Sequence, residues 1–459
     1  MWYVLYNVLL VLAAPVILVI LLAKQRCRRG LPQRLGFFPA EEGDETRSRL
    51  PVIWVHAVSL GEVVAAVPLV RALQAREPGY RIIVTTVTET GREAVEQRLA
   101  GVAEHRYAPL DFPWVVSKAL DRLHPVLYLF VETEIWPNLL RALSRRGVSS
   151  LLVNGRLSSG SFRGYRLSRP LIGQALRTIA YCLMQSDRDA SRIRALGAAP
   201  ERVLRTGNIK FDQPDLQPDG ETLSRQMILS RDEELIVAGS THPGEEEHII
   251  ACYKRLRREF PRLVLLLAPR HIERAVQVES AIKARGLRAV RRSALNANLH
   301  GAGAANGRSE PRVVILDTRG ELAAVYRHAV LSFVGGTLVP IGGHNLLEPA
   351  LWGIPVFFGP HTDHCFEVAE LLLHAGGGSR VEGSEELGES MSALLRDRLA
   401  LQRMGQAARG VVLDNRGALD QTVEVIRTVL RKTVPSITEQ GRDGRTERTA
   451  GSTIDSLVH

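Results

Sequence analysis

Cysteine is scarce. The four cysteines in 459 residues, Cys27, Cys182, Cys252 and Cys365, stand far apart with no ligand-like spacing. Neither a disulfide framework nor a zinc site is expected, and a reducing compartment fits. Aromatic residues make up only 5%, with no RNP-like aromatic motif, zinc-finger spacing or continuous basic run. Nucleic acid is therefore not an expected partner, in spite of the net charge of +10. That charge comes mainly from arginine and favours anionic surfaces such as phosphates or acidic lipid head groups. With 45% hydrophobic and 24% charged residues the chain is globular, and 459 residues are too many for one ordinary core.

Long apolar runs are missing too, with one exception. Trp2 to Ala23 carries no charge over about twenty residues, enough at about 1.5 Å per residue to cross a hydrocarbon core. Lys24, Arg26, Arg28 and Arg29 follow it and nothing basic precedes it, so the positive-inside rule leaves the rest of the chain in the cytoplasm. A cleaved signal peptide needs basic residues ahead of the run and an Ala-x-Ala site after it, and has neither. Pro15 keeps open an interfacial, non-spanning helix. The expectation is a transmembrane or membrane-anchor helix over residues 1–24 and a basic linker over 25–50, with the basic flank against anionic lipid.

From Pro51 onward short β-rich runs alternate with helical patterns. Val52–His56, Arg81–Thr86, Val126–Val131 and Ser150–Asn154 read as strands, an α/β pattern with a parallel sheet and one Rossmann-like domain over 51–212. A polar stretch, 213–233, with Pro214, Pro218 and Gly220, interrupts it and is taken as the interdomain linker. A second Rossmann-like domain follows over 234–432, with strands at Leu235–Gly239, Leu263–Ala268, Arg288–Val290, Val313–Leu316, Leu331–Val334 and Pro355–Phe358. Ser293–Pro311 reads as a surface loop, and 433–459 as a disordered tail. No internal repeat is evident beyond this loose duplication of architecture.

The chemistry sits at strand ends. Val52–His56 runs through Ser59 and Gly61 into a helix whose first turn holds Glu62. The carboxyl edge of an open α/β sheet is where ligands bind. Glu62 is either a general base or a carboxylate that favours the helix macrodipole, and that dipole lowers its basicity unless burial offsets it. Val126–Val131 ends in Glu132-Thr-Glu-Ile-Trp-Pro-Asn138, two carboxylates and an indole that serve either a site or the cap of the helix starting near Pro137. Arg156 follows the next strand, as an anion-binding fork or a surface arginine. Lys210 lies just before the junction.

In the second domain Ser240 and nearby amides follow a strand and suit a phosphate, while Glu245, Glu246 and Glu247 read as a solvated first turn. Pro269 and Arg270 follow the next strand, with Arg270 as an anion contact. The most distinctive stretch runs from Phe333 to Ala350. A strand enters a glycine-rich loop, then His344, Asn345 and Glu348, where Asn345 and Glu348 form a capping-box-like helix start. Loop amides there suit a nucleotide phosphate and Glu348 suits ribose hydroxyls. Asp187-Arg188-Asp189 imitates a metal motif but fits a helix opening capped by Ser186, so no metal is expected.

These stretches, Trp54 to Glu62, Glu132 to Asn138, Asn154 to Ser158, Gly207 to Asp212 and Gly342 to Pro349, together resemble the 3-deoxy-D-manno-octulosonic acid (Kdo) transferase family, over nearly the whole chain from the anchor to about Lys432. The resemblance implies a GT-B glycosyltransferase of two Rossmann-like domains facing a cleft. It implies an inverting transfer of Kdo from CMP-Kdo to the lipid A precursor (lipid IVA), at the cytoplasmic face of the inner membrane, without a cofactor. It gives Glu62 the role of general base, and Glu132 and Lys210 that of transition-state stabilisers. It assigns CMP binding to Pro269, Arg270, Arg319, Gly320, Glu321, Asn345, Leu346, Leu347 and Glu348. Ser59, Gly61, Arg156, Ser240 and His344 join them as substrate contacts from the residue-level reading. The sequence departs from the family at Arg319, where an apolar residue, often methionine, is usual, so a backbone contact is implied there. Two alternatives stay open: another GT-B enzyme using a nucleotide-diphosphate sugar, and a non-catalytic anchored nucleotide-sugar-binding or scaffold protein.

Overall fold

The computed structural model describes residues 1–23, 28–38, 50–212, 229, 232–295 and 312–433. The chain forms two compact units, one of the segment up to Gln213 together with the chain from Arg416 onward, the other running from Pro214 to Asn415. The expected tail and most of the expected linker and inserted loop lie outside the described residues.

In the first unit, helix α1 (Trp2–Ala23) continues through Pro15. Its 18-residue apolar window has a mean hydropathy of 2.8. Strands β1 (Val52–His56), β2 (Arg81–Thr86), β3 (Glu104–Tyr107), β4 (Pro125–Val131), β5 (Ser149–Gly155), β6 (Tyr181–Met184) and β7 (Val203–Arg205) form a parallel sheet in the order β3-β2-β1-β4-β5-β6-β7. Central strands are buried on both faces, as expected where helices cover a parallel sheet. Trp54, Tyr128 and Phe130 point into one apolar layer, Ile53, Val55, Leu127 and Leu129 into the other. Helices α2 (Leu60–Arg76), α3 (Pro137–Arg145) and α4 (Asp187–Leu196) follow β1, β4 and β6.

One boundary differs from expectation. The last described helix, Ala418–Thr433, does not belong with the second domain: Val423, Ile426 and Leu430 bury themselves in the first unit's second apolar layer. Asp212 fixes its start by accepting from the amides of Gly417 (2.6 Å) and Leu419 (2.8 Å).

The second unit repeats the plan. Strands β8 (Glu234–Thr241), β9 (Leu263–Pro269), β10 (Arg288–Arg291), β11 (Arg312–Ile315), β12 (Ala329–Val334), β13 (Val356–Phe358) and β14 (Gly378–Arg380) run parallel in the order β10-β11-β9-β8-β12-β13-β14. Helix α5 (Glu245–Glu259) follows β8, and α6 (Leu347–Leu351) follows the glycine-rich loop after β12. In each sheet the winding direction reverses once within the interior, between β1 and β4 and between β8 and β12, and ligands of open sheets bind at such switch points.

Candidate active site

Glu62 sits at the first switch point. Ser59 precedes α2 in extended conformation, yet its side chain does not cap the helix. Its hydroxyl instead donates to Glu62 Oε1 (2.9 Å), while the Val58 amide donates to Oε2 (2.8 Å). The carboxylate is 9% exposed, and burial pushes its pKa up to about 7 against the pull of those two donors, with the charges of Glu134 and Glu132 adding to the rise. Burial therefore outweighs the two hydrogen-bond donors that favour the ionised form. A Cβ added at Gly61 would meet only the Ser59 hydroxyl, at 3.9 Å. Neither local packing nor a left-handed backbone requires glycine there.

Across the switch point, Glu132 leaves β4 with φ 59°, a conformation that favours glycine or asparagine. Its carboxylate lies 3.7 Å from Lys210 Nζ, both groups being partly exposed. Lys210 stands on a 3₁₀ turn, Ile209–Asp212, which is pinned by polar side chains. Asn154 Oδ1 accepts from the Ile209 amide (3.1 Å), Asn208 Oδ1 from the Lys210 amide (3.0 Å), and Gln185 joins Asn154 to Asn208. Asn154 itself has φ 52°. These positioning residues were not singled out from the sequence. The signal was the asparagine in Asn154-Gly155 and Gly207-Asn208, a residue type that tolerates left-handed backbone and hydrogen-bonds locally.

The indole of Trp136 donates to Glu134 (3.1 Å) and packs edge-on against His56, so Glu134, whose pKa burial raises, is committed to structure. Arg156, at the end of β5, is half-buried and makes no ion pair among the described residues. Asp187 and Asp189 do not converge. Ser186 accepts from the Asp189 amide (3.2 Å) as the cap of α4, Asp189 accepts from the Leu157 amide (2.8 Å), and Asp187 faces Arg205.

The second unit gathers its candidates at the carboxyl edge of its own sheet. Ser240 has φ 56°, and Gly239 admits no side chain because a Cβ would lie 2.0 Å from the Tyr326 hydroxyl. Here the solvated-turn expectation for the glutamates is wrong for two of three. Glu245 is fully buried and accepts from the amides of His242 (2.9 Å), Gly336 (2.7 Å), Thr337 (3.0 Å) and Leu338 (2.9 Å). Glu246 is buried against Arg274 at 2.7 Å. The amides of 336–338 are thus taken by Glu245, so the expectation that loop amides cradle a phosphate is corrected for these three. A carboxylate within the chain balances their partial positive charge.

His344 stacks on His242 with an interplanar angle of 4° and Nε2 atoms 2.8 Å apart. Burial, then the neighbouring His242 and Arg270, lower the His344 pKa to about 4, and burial lowers that of His242 too, which favours neutral rings of which one donates to the other. Asn345 Oδ1 accepts from the Leu347 amide (3.1 Å) and its Nδ2 donates to Glu348 (3.2 Å). The expected capping box is shifted: Leu346, not Asn345, immediately precedes α6, and the Glu348 carboxylate accepts from the Asn345 side chain. Pro269 ends β9 buried, and Arg270 beside it is exposed with its amide bonded to Thr241 O (3.0 Å). After β11, Gly320 has φ 87°, Glu321 is held by the buried Arg292 at 2.9 Å, and the exposed Arg319 turns to Glu273 at 3.2 Å.

Two units of this design, each with its polar cluster at a switch point, match known proteins. The family described as 3-Deoxy-D-manno-octulosonic-acid transferase (kdotransferase) matches residues 29–213. A 3-deoxy-D-manno-octulosonic acid transferase of Haemophilus influenzae is 33% identical over 443 residues, covering 95% of this chain and 100% of that one. The chain belongs to the Kdo transferase family. A second Kdo transferase, from Bordetella pertussis, is also 33% identical, over 88% of this chain and 94% of its own. As a Kdo transferase the protein is a glycosyltransferase of lipopolysaccharide biosynthesis. Its fold is of the GT-B kind. A UDP-GlcNAc 2-epimerase from Neisseria meningitidis, 13% identical, covers 83% of the chain with a TM-score of 0.53. A glycosyltransferase from Rickettsia africae, also 13% identical, covers 83% with a TM-score of 0.51.

Proposed function

We propose that this Kdo transferase moves Kdo from CMP-Kdo to a hydroxyl of the lipid A precursor, lipid IVA, with inversion and without a metal ion, at the cytoplasmic face of the inner membrane. The observation that carries the mechanism is the Glu62 carboxyl, buried at a switch point with a pKa near 7. A base poised there is half ionised at neutral pH and strong enough to accept a hydroxyl proton. Glu62 takes the proton of the acceptor hydroxyl as its oxygen bonds to the anomeric carbon. The bond from that carbon to the phosphate oxygen breaks, and CMP leaves with the electron pair. Ser59 and the Val58 amide hold the carboxylate in place, and the open space over Gly61 leaves room for the acceptor.

The Lys210 ammonium, oriented by Glu132, offers positive charge to the developing negative charge. Arg156 is a cation without an internal partner among the described residues, suited to an acceptor phosphate. In the second unit Arg270 offers a guanidinium to the nucleotide phosphate, and Asn345 and Glu348 offer polar side chains to the ribose, with Leu346 and Leu347 in the same turn. Pro269, Arg319, Gly320 and Glu321 frame the base, with Arg319 contributing backbone only, since its side chain is directed at Glu273. Ser240 and His344 complete the donor contacts.

Donor choice distinguishes this reading from a nucleotide-diphosphate enzyme. Purified protein in detergent is offered tetra-acylated acceptor with either a CMP-Kdo-generating mixture or UDP-sugars. Product from the CMP-Kdo mixture alone is expected. Turnover of a UDP-sugar, or no turnover with CMP-Kdo by folded protein, would sink the assignment.

A further inference from the structure

Polar side chains in α1 are confined to its first two turns and face one way. The Tyr3 hydroxyl donates to Pro137 O (3.3 Å), with the Arg141 guanidinium 4.4 Å from the centre of the Tyr3 ring. The Tyr6 hydroxyl donates to Asp111 Oδ2 (2.9 Å), and Asn138 Nδ2 donates to Asn7 Oδ1 (2.6 Å). Asp111 is itself a structural hub, accepting from the Asn138 (3.0 Å) and Leu139 (2.8 Å) amides in the first turn of α3. The less exposed positions of α1 then continue at 10, 13, 14, 17 and 21, one stripe at helical spacing along its whole length. Off that stripe Val4, Leu12, Val16 and Val19 are each more than 60% exposed. Just past the helix, Arg29 pairs with Glu89 at 2.9 Å, so both ends of α1 are tied to the same folded unit.

Those ties conflict with a spanning helix. Twenty-two residues at about 1.5 Å each reach across a hydrocarbon core of about 30 Å and would carry Tyr3, Tyr6 and Asn7 to its far side. Asp111, Asn138 and Arg141 would have to follow them, while Glu89, in the same Rossmann unit, stayed behind. A unit whose surface is rich in charged groups cannot bridge hydrocarbon in that way.

We infer that α1 is an in-plane anchor: it docks on the first unit through Tyr3, Tyr6 and Asn7, lays its outer apolar face among the acyl chains of a single leaflet, and keeps both ends on the side of the catalytic units. The occupant of that face is lipid, because a charge-free helix of mean hydropathy 2.8 leaves large aliphatic side chains in the open over its full length. In the sequence Lys24, Arg26, Arg28 and Arg29 come directly after it, a basic composition that suits anionic head groups. The positive-inside pattern that suggested a crossing is equally the pattern of a basic flank lying at the head-group level. The inference rests on the reading that the enzyme acts on a membrane lipid.

The test uses the full chain carrying an epitope tag ahead of Met1. Membranes are washed with carbonate, and protease is applied to spheroplasts and to inverted vesicles. The in-plane arrangement predicts membrane-bound protein whose tag and catalytic units are both protected in spheroplasts and both digested in inverted vesicles. Loss of the tag alone in spheroplasts overturns the in-plane arrangement. Recovery in the soluble fraction overturns the membrane reading beneath it, and the two failures are thereby distinct. An independent check pairs Asn7→Cys with Asn138→Cys after the four native cysteines are changed to serine, in native membranes. A short bifunctional thiol reagent is expected to join the two peptides, detected by mass spectrometry. A spanning helix leaves them unjoined while each is still labelled singly, and that result refutes docking.

Discussion

Replacing Glu62 with glutamine separates catalysis from stability in a way only a buried base allows. The amide fits the same pocket, with its oxygen accepting from the Val58 amide and its nitrogen donating to a rotated Ser59 hydroxyl. Folding raises the Glu62 pKa from 4.5 to about 7. Between those values the native state retains a proton that the unfolded chain has lost, so stability falls as pH rises through the window. At about 1.36 kcal/mol per pKa unit the penalty reaches roughly 3 kcal/mol above pH 7 and vanishes below about pH 4.5. Glu62→Gln abolishes it. The variant should therefore gain up to about 3 kcal/mol over wild type at pH 8.5 and nothing at pH 4.5, measured as the pH dependence of denaturant midpoints in detergent. Transfer should fall by about 10²- to 10⁴-fold, the usual worth of a general base. Wild-type kcat/KM should climb with pH along an acid limb centred near 7, and the variant should lack that limb. Full activity in the variant refutes the base assignment. Lost activity without the pH-dependent gain in stability refutes the claim that burial sets the pKa.

Other consequences follow from the same geometry. Lys210→Met should cut turnover by about a hundredfold or more if its charge serves the transition state. The partly exposed pair it forms with Glu132 is worth under about 1 kcal/mol, so the thermal midpoint should barely move. A matching loss of stability would recast Lys210 as structural. Glu245→Ala strips the acceptor from four backbone amides, and at about 1–3 kcal/mol for each buried unsatisfied group the second unit should lose several kcal/mol. Unfolding midpoints would show this, and a neutral result would contradict the amide cradle described above. Chelation with EDTA should leave the transfer rate unchanged, whereas loss of activity restored by a divalent cation would end the metal-free reading.

What the sequence disclosed, and what it hid, has a physical pattern. Long strands such as Val126–Val131 announce themselves because both faces are buried and the apolar run is unbroken. β3, with Glu104-His-Arg-Tyr107, pairs on one side only and carries polar residues, while β6, β7 and β14 are three or four residues long. None of these gives a signal above its neighbours. Amphipathicity identifies a helix at Ala418–Thr433 but not the sheet it covers, every strand of which lies more than 200 residues back in the chain.

The site divides likewise. Strand-end motifs placed Glu62, Glu132 and Arg156 at a sheet's carboxyl edge, since local chain order suffices for that, whereas Lys210 was placed only by its position just before the junction. The burial that raises the Glu62 pKa, and the charges of Glu132 and Glu134 that add to it, come from side chains distant in sequence. Glu245 looked solvated because its partners, the amides of 336–338, lie about ninety residues away. A run of three glutamates at a helix start gives no hint that one of them is surrounded by donors.

The most direct measurement is the mass of product formed from a CMP-Kdo-generating mixture and tetra-acylated lipid A precursor, with wild-type protein and folded Glu62→Ala side by side. Kdo-bearing lipid is expected from the wild type and only a trace from the variant. Equal product from both would contradict Glu62 as the base, and none from either would contradict the assignment of donor and acceptor.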